Sequence, residues 1–126
     1  MEKKAAPYGS WKSPITADRV AMGTLKLSEI RVCEGKVYWL ERRPLENARC
    51  TLVCWSPEQG EKELLPKEYN IRSKVHEYGG GALLVQKEGI YFVNHADQQI
   101  YRVMPEGKVE QITRQENARF TDGVIH

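Results

Sequence analysis

The acids and bases best placed to do chemistry in this chain fall in two short stretches, His76-Glu77 and His95-Ala96-Asp97. Two imidazoles and a carboxylate form a zinc-type ligand set when they converge on one point. On an extended backbone, however, adjacent residues point to opposite sides, so His76 and Glu77 cannot both face one ion. The plainer reading is a hydrogen-bonded loop end in which Asp97 starts a turn. A serine nucleophile would need one of the three histidines held beside it as a base. Nothing in the order of the chain pairs a histidine with Ser10, Ser13, Ser28, Ser56 or Ser73. The three cysteines, Cys33, Cys50 and Cys54, have no metal-type spacing. On a strand Cys50, Leu52 and Cys54 share one face, so these read as buried thiols of a reducing compartment. Gly79-Gly80-Gly81-Ala82 lacks the Gly-Lys-Ser/Thr that completes a phosphate loop and opens no helix. These residues lead us to expect no catalytic residue, no metal and no cofactor.

Composition narrows the class. The 126 residues are 40% hydrophobic and 29% charged, an ordinary globular balance. Nineteen Lys and Arg against 17 Asp and Glu leave +2, with the basic residues scattered, so neither nucleic acid nor membrane is expected as a partner. The aromatics Tyr38, Trp39, Tyr91, Phe92 and Tyr101 lie among β-formers and not along a basic surface, which makes them core and not a base-stacking platform. Met1 to Pro7 has lysines but no apolar stretch behind them, so no signal peptide is read and the cytoplasm is the expected compartment.

The elements that would carry these residues are strands. Val75 to Val85 is the organising stretch: three glycines open into an apolar run of strand length, which reads as a tight entry into a buried strand. Residues 1–24, with Pro7, Gly9, Pro14 and Gly23, read as an extended arm anchored by Tyr8 and Trp11. From Leu25 a first strand runs to the Glu34-Gly35 turn, and Val37 to Leu40 is continuous enough to be buried on both faces. Cys50 to Trp55 follows, closed by Ser56 to Gly60, and Glu63-Leu64-Leu65 is a fourth strand stopped by Pro66. The same order then recurs: Ala82 to Gln86, the Glu88-Gly89 turn, Ile90 to Val93, Ile100 to Val103, the Pro105-Glu106-Gly107 turn and Val109 to Thr113. Gly35 and Gly89 are 54 positions apart, Tyr38 and Tyr91 53, Leu64 and Ile112 48. Two copies of a four-stranded meander with different loops would give that drift. No segment between strands looks helical, which disfavours βαβ units.

Four short strands every ~40–50 residues are the signature of β-propeller blades. The expected organisation is an arm over 1–24 and a partial propeller over 25–126. Its blades span 25–65 and 75–113, and Phe120 to Ile125 opens a third blade over 119–126. Complete propellers close with ~4–8 blades, so the chain reads as the opening portion of a longer protein. A small all-β domain closing by itself or by oligomerising is the bland alternative.

Tyr8-Gly9-Ser10-Trp11-Lys12-Ser13-Pro14-Ile15-Thr16-Ala17-Asp18, Val37-Tyr38-Trp39-Leu40-Glu41, Val75 to Gly81 and Asp97 to Arg102 occur in an order and spacing that bear on family. Together they resemble the N-terminal region of prolyl oligopeptidase-family serine peptidases of the dipeptidyl aminopeptidase or acylaminoacyl-peptidase type. The resemblance implies a β-propeller preceding an α/β-hydrolase domain, covering its active site and admitting short peptides. It also implies that the arm docks on that domain in cis. The family's catalytic serine sits in a Gly-x-Ser-x-Gly elbow, followed by its acid and histidine. No such elbow occurs here, and Gly9-Ser10 runs into Trp11-Lys12, so the chain is expected to be inactive alone. Within the resemblance, Glu77 on a propeller loop is the candidate substrate-binding residue, an acid able to hold a peptide's α-amino group by a charge-assisted hydrogen bond. The competing reading is a free-standing interaction module that self-associates or pairs through open blade edges.

Overall fold

A computed structural model describes residues 5–104 and 106–126. Met1 to Lys4, where the signal-peptide reading begins, and Pro105 of the expected turn lie outside the described residues. The architecture is all-β: two four-stranded antiparallel meanders whose strand order in each sheet follows the chain. The first holds β1 (Lys26–Cys33), β2 (Lys36–Arg43), β3 (Arg49–Ser56) and β4 (Gly60–Glu63). The second holds β5 (Leu83–Gln86), β6 (Gly89–Val93), β7 (Ile100–Val103) and β8 (Val109–Gln111). Both sheets are open, as in a partial propeller. No helix among the described residues is long and apolar enough to cross a membrane.

Alternation within the strands decides how the sheets stack. Register pairs Leu40 with Leu52 and Tyr38 with Cys54, which puts these four on one face of the first sheet. In the second sheet Leu83, Phe92 and Tyr101 are cross-strand partners, as are Val85, Ile90 and Val103. These two faces meet, and Leu40, Leu52, Leu65, Ile71, Leu83, Phe92 and Val103 form one buried cluster. Phe92 is its largest member at 1% exposure, and burying such a ring contributes about 2–3 kcal/mol. Tyr69 lays its ring edge-on to both Phe92 and Tyr101, tying the connector between the sheets to the core.

Several expectations need correction. Only Leu40 of Val37 to Leu40 is buried: Val37 and Trp39 are half-buried on the outward face of the first sheet, where Thr51 and Val53 are covered but Trp55 stays exposed. The fourth strand lies earlier than read: β4 is Gly60–Glu63, and Leu64 and Leu65 turn into the connector, where Leu65 enters the core. The arm holds one helical turn, α1 (Ala17–Ala21), so it is not extended throughout. Tyr8 and Trp11 stack edge-on with each other, yet Tyr8 is 99% exposed and so anchors nothing here. All three cysteines are unpaired and half-buried, not fully buried.

Candidate functional site

The triple glycine sits where three segments converge. Gly79 takes φ +92, the left-handed conformation that side chains resist. Gly80 and Gly81 are excluded from bearing side chains by crowding instead. A Cβ on Gly80 would overlap the Thr121 hydroxyl, and one on Gly81 would stand 2.5 Å from Asp122 Oδ1. Asp122 fills that space by bonding the glycine backbone in both directions. Its N–H donates to the Gly81 carbonyl at 2.8 Å, and its carboxylate accepts from the Gly81 N–H at 3.1 Å. The Thr121 hydroxyl also donates to the Gly81 carbonyl. The segment around Thr121 and Asp122 therefore docks on the entry of β5, where only glycine leaves room for their side chains.

On the other side of the same entry, Glu29 reaches across from β1. Between Ser28 and Arg31 the register slips, and two residues of β1, Glu29 and Ile30, oppose Trp39 of β2. Glu29 takes φ +48 in this bulge, which turns its carboxylate away from its own sheet. Its two oxygens accept from the N–H groups of Ala82 and Leu83 at 2.9 and 3.0 Å. Those donors are buried and have no strand partner on that side, so the carboxylate completes the edge of the second sheet.

The sequence-derived candidates are dispersed around this junction. His76 and Glu77 lie in a 3-10 turn over Val75–Glu77, both with positive φ (+52 and +63), so they are not part of the extended segment expected. The Glu77 side chain is 73% exposed and ion-paired to Arg119, whose guanidinium also donates to the Lys74 carbonyl at 2.8 Å. The Arg119 hydrogen bond, then its charge, hold the Glu77 carboxyl below its usual range. Asp97 does start a turn: its carboxylate accepts from Asn94 Nδ2, the Gln99 N–H and, at 2.5 Å, the Tyr101 hydroxyl. Burial first, then the charges of Lys74 and Arg72, push the His95 imidazole below its usual range. Among the described residues no three His, Cys, Asp or Glu side chains come together as a metal site. Burial raises the Cys50 thiol to about 11, which makes it a poor nucleophile. Sequence reasoning missed Glu29 and Arg119. A bulge leaves no mark in hydrophobic alternation, and a partner 42 residues distant leaves none in local spacing.

Two open clefts flank the junction. One, about 440 Å³, lies between the outward face of the second sheet and the segment Phe120 to Ile125, and its lining is chiefly apolar, with Leu84, Tyr91 and Ile112 among its walls. The other, about 410 Å³, lies between the two sheets at the connector and is lined by Glu29, Arg42, Arg72, Tyr78 and His95 among others.

No family model matches the chain. No curated protein matches it either. Solved structures do. Puromycin hydrolase superposes with a TM-score of 0.83 at 28% identity over 98% of this chain and 21% of its own. A serine-to-alanine mutant of puromycin hydrolase, complexed with PGG, gives 0.83 at 29% identity over 96% of this chain and 20% of its own. A puromycin-hydrolyzing peptidase of Mycobacterium tuberculosis gives 0.75 at 35% identity over 88% of this chain and 18% of its own. The chain thus spans about one fifth of the length of the structures it matches. Phe120 to Ile125, expected as the first strand of a third blade, hold no strand in the structure. Two meander sheets and this superposition agree with the resemblance in sequence: the chain corresponds to a β-propeller portion of prolyl oligopeptidase-family peptidases.

Proposed function

We propose that this chain is the N-terminal propeller segment of a prolyl oligopeptidase-type serine peptidase. In the cytoplasm it would gate the access of short peptides to a hydrolase domain that follows in cis. The observation that carries this reading is the superposition on puromycin hydrolase over 96% of the chain and only a fifth of that enzyme. The apolar residues left open on the outer faces support it further. Leu27, Val32 and Trp55 on one side and Val124 and Ile125 on the other are 40–74% exposed, and neighbouring blades would cover them. Tyr8 and Trp11, 99% and 52% exposed, likewise leave aromatic surface uncovered, as suits an arm that docks elsewhere.

In this reading Glu77 receives the α-amino group of the peptide and Arg119 holds its carboxylate in place until it does. An ammonium then competes with a guanidinium for the same oxygens. The exposure of Glu77 leaves room for that exchange.

Two measurements test the proposal. An immunoblot of the source cell with an antibody raised against residues 1–126 is expected to show a band several times 14.5 kDa, and an active-site serine probe is expected to label that band but not the isolated chain. A native band at 14.5 kDa, or labelling of the 126 residues alone, overturns it. In the full-length protein, Glu77→Gln should raise KM for peptides with a free N-terminus about tenfold and leave N-acetylated peptides unchanged.

A further inference from the structure

The cleft between the two sheets is cationic and none of its cations is spoken for. Lys26 enters from the start of β1, Arg42 from the end of β2 and Arg72 from the connector. Among the described residues their side chains have no ion-pair partner, whereas Arg43, Arg49 and Arg119 all do. Glu29 is the single carboxylate in the lining, and both its oxygens are committed to the N–H groups of Ala82 and Leu83. Three cations thus face one acid whose lone pairs are largely engaged.

At His95 burial, then the charges of Lys74 and Arg72, disfavour the charged imidazole, whereas at Cys50 burial and then the Glu29 charge raise the thiol against Arg42, Arg49 and Arg72. The floor is apolar, made by the buried side chains of Leu40, Ile71 and Ala82. Neutral polar residues, Ser28, Asn47 and Asn70, also line it, Ser28 and Asn47 exposed and Asn70 half-buried. Tyr78, 95% exposed, stands at the mouth with a free aromatic face.

We propose that this cleft is a binding site for an oxyanion, the carboxylate or phosphate group of a small ligand whose apolar part rests on Leu40, Ile71 and Ala82. Guanidinium groups suit that role because they present paired N–H donors to two oxygens at once. The site lies wholly within this chain and does not depend on the peptidase reading.

The test is an amide-resolved NMR titration of the 126-residue chain with N-acetylglutamate and, separately, inorganic phosphate, with sodium chloride at matched ionic strength as the control. Saturable shifts are expected at Cys50, Ile71, Ser73 and Gly79 to Ala82 with at least one of the two probes. Saturation by N-acetylglutamate alone assigns a carboxylate ligand, and by phosphate alone a phosphate ligand. Substituting Arg42→Gln and Arg72→Gln together should weaken the saturable binding about tenfold or more. If that double variant loses its dispersed spectrum, Arg42→Gln alone, an exposed and unpaired position, should weaken it about threefold. Shifts that sodium chloride reproduces, that never saturate, or that survive the substitutions unchanged overturn the proposal.

Discussion

Glu63 is where a single atom change should cost this fold most on its polar side. The carboxylate at the end of β4 gathers two arginines and a threonine. Arg43 donates to one of its oxygens at 2.6 Å, and Arg49 and the Thr51 hydroxyl donate to the other. Burial on its own would raise the Glu63 pKa, but the hydrogen bonds from Arg49, Arg43 and Thr51 outweigh it and draw the carboxyl down to about 2 from an ordinary 4.5. A difference of about 2.5 units corresponds to roughly 3.4 kcal/mol. The side chain is 28% exposed, so solvent screening reduces this to about 2–3 kcal/mol. Glu63→Gln keeps the shape and one acceptor but removes the charge. Arg49, with a side chain only 9% exposed, is left to Glu46 and the Tyr69 carbonyl. The expected loss is about 2–3 kcal/mol, a fall in Tm of about 10 °C for a domain of this size.

Urea unfolding followed by Trp39 and Trp55 fluorescence measures it, and pH supplies the second arm. Because the folded pKa lies below the unfolded one, the contribution of Glu63 is complete above about pH 4.5 and is lost as pH falls toward 2. Glu46 and Glu77 are also held below their usual range, Glu46 chiefly by its hydrogen bond from Arg49, so the wild type loses more than this one increment in acid. The gap between wild type and Glu63→Gln isolates Glu63, and it should narrow from about pH 4.5 downward. A loss under about 0.5 kcal/mol at neutral pH, the range of ordinary surface changes, would refute the reasoning. So would a gap that stays constant into acid.

Glu29→Ala should strand two buried N–H groups and cost about 2–4 kcal/mol, seen as faster hydrogen exchange at Ala82 and Leu83 than at Phe92. Gly81→Ala should push Asp122 off the β5 entry, and chymotrypsin cleavage after Phe120 should then rise at least about tenfold while the core strands stay protected. The raised Cys50 thiol should be the slowest of the three cysteines to react with a disulfide reagent near pH 8, so Cys50→Ser should leave the fast-reacting thiol count unchanged.

What could be read ahead of the structure divides along a physical line. Strand positions follow from side-chain alternation, a local property, so the two meanders and their 48- to 54-residue offsets were legible from residues such as Gly35, Gly89, Tyr38 and Tyr91. β7 lies at Ile100–Val103, where alternation placed it. The fourth strand slipped because Leu64 and Leu65 look like strand residues, although they serve the core from the connector. Burial of Val37 to Leu40 on both faces was over-read, since apolar composition shows what a strand can bury and not whether a neighbour is there to cover it.

The junction itself was legible only in its glycines, and the reason is the range of its contacts. Glu29 acts across 53 and 54 residues on Ala82 and Leu83, Arg119 across 42 on Glu77, and Asp122 across 41 on Gly81. Each is a polar side chain meeting a backbone group or charge that its own strand cannot satisfy. Such needs arise from the stacking of sheets, after local structure has formed. A triple glycine at the mouth of a strand is the trace that this leaves in the sequence. Gly80 and Gly81 mark the space that Thr121 and Asp122 occupy, so the glycines report the close approach of another segment without saying which one it is. The carboxylate that bonds the entry of β5 comes from the preceding sheet, whose first strand has one acid, Glu29, between its bounds, yet the bulge that aims it at Ala82 and Leu83 leaves no trace in the alternation.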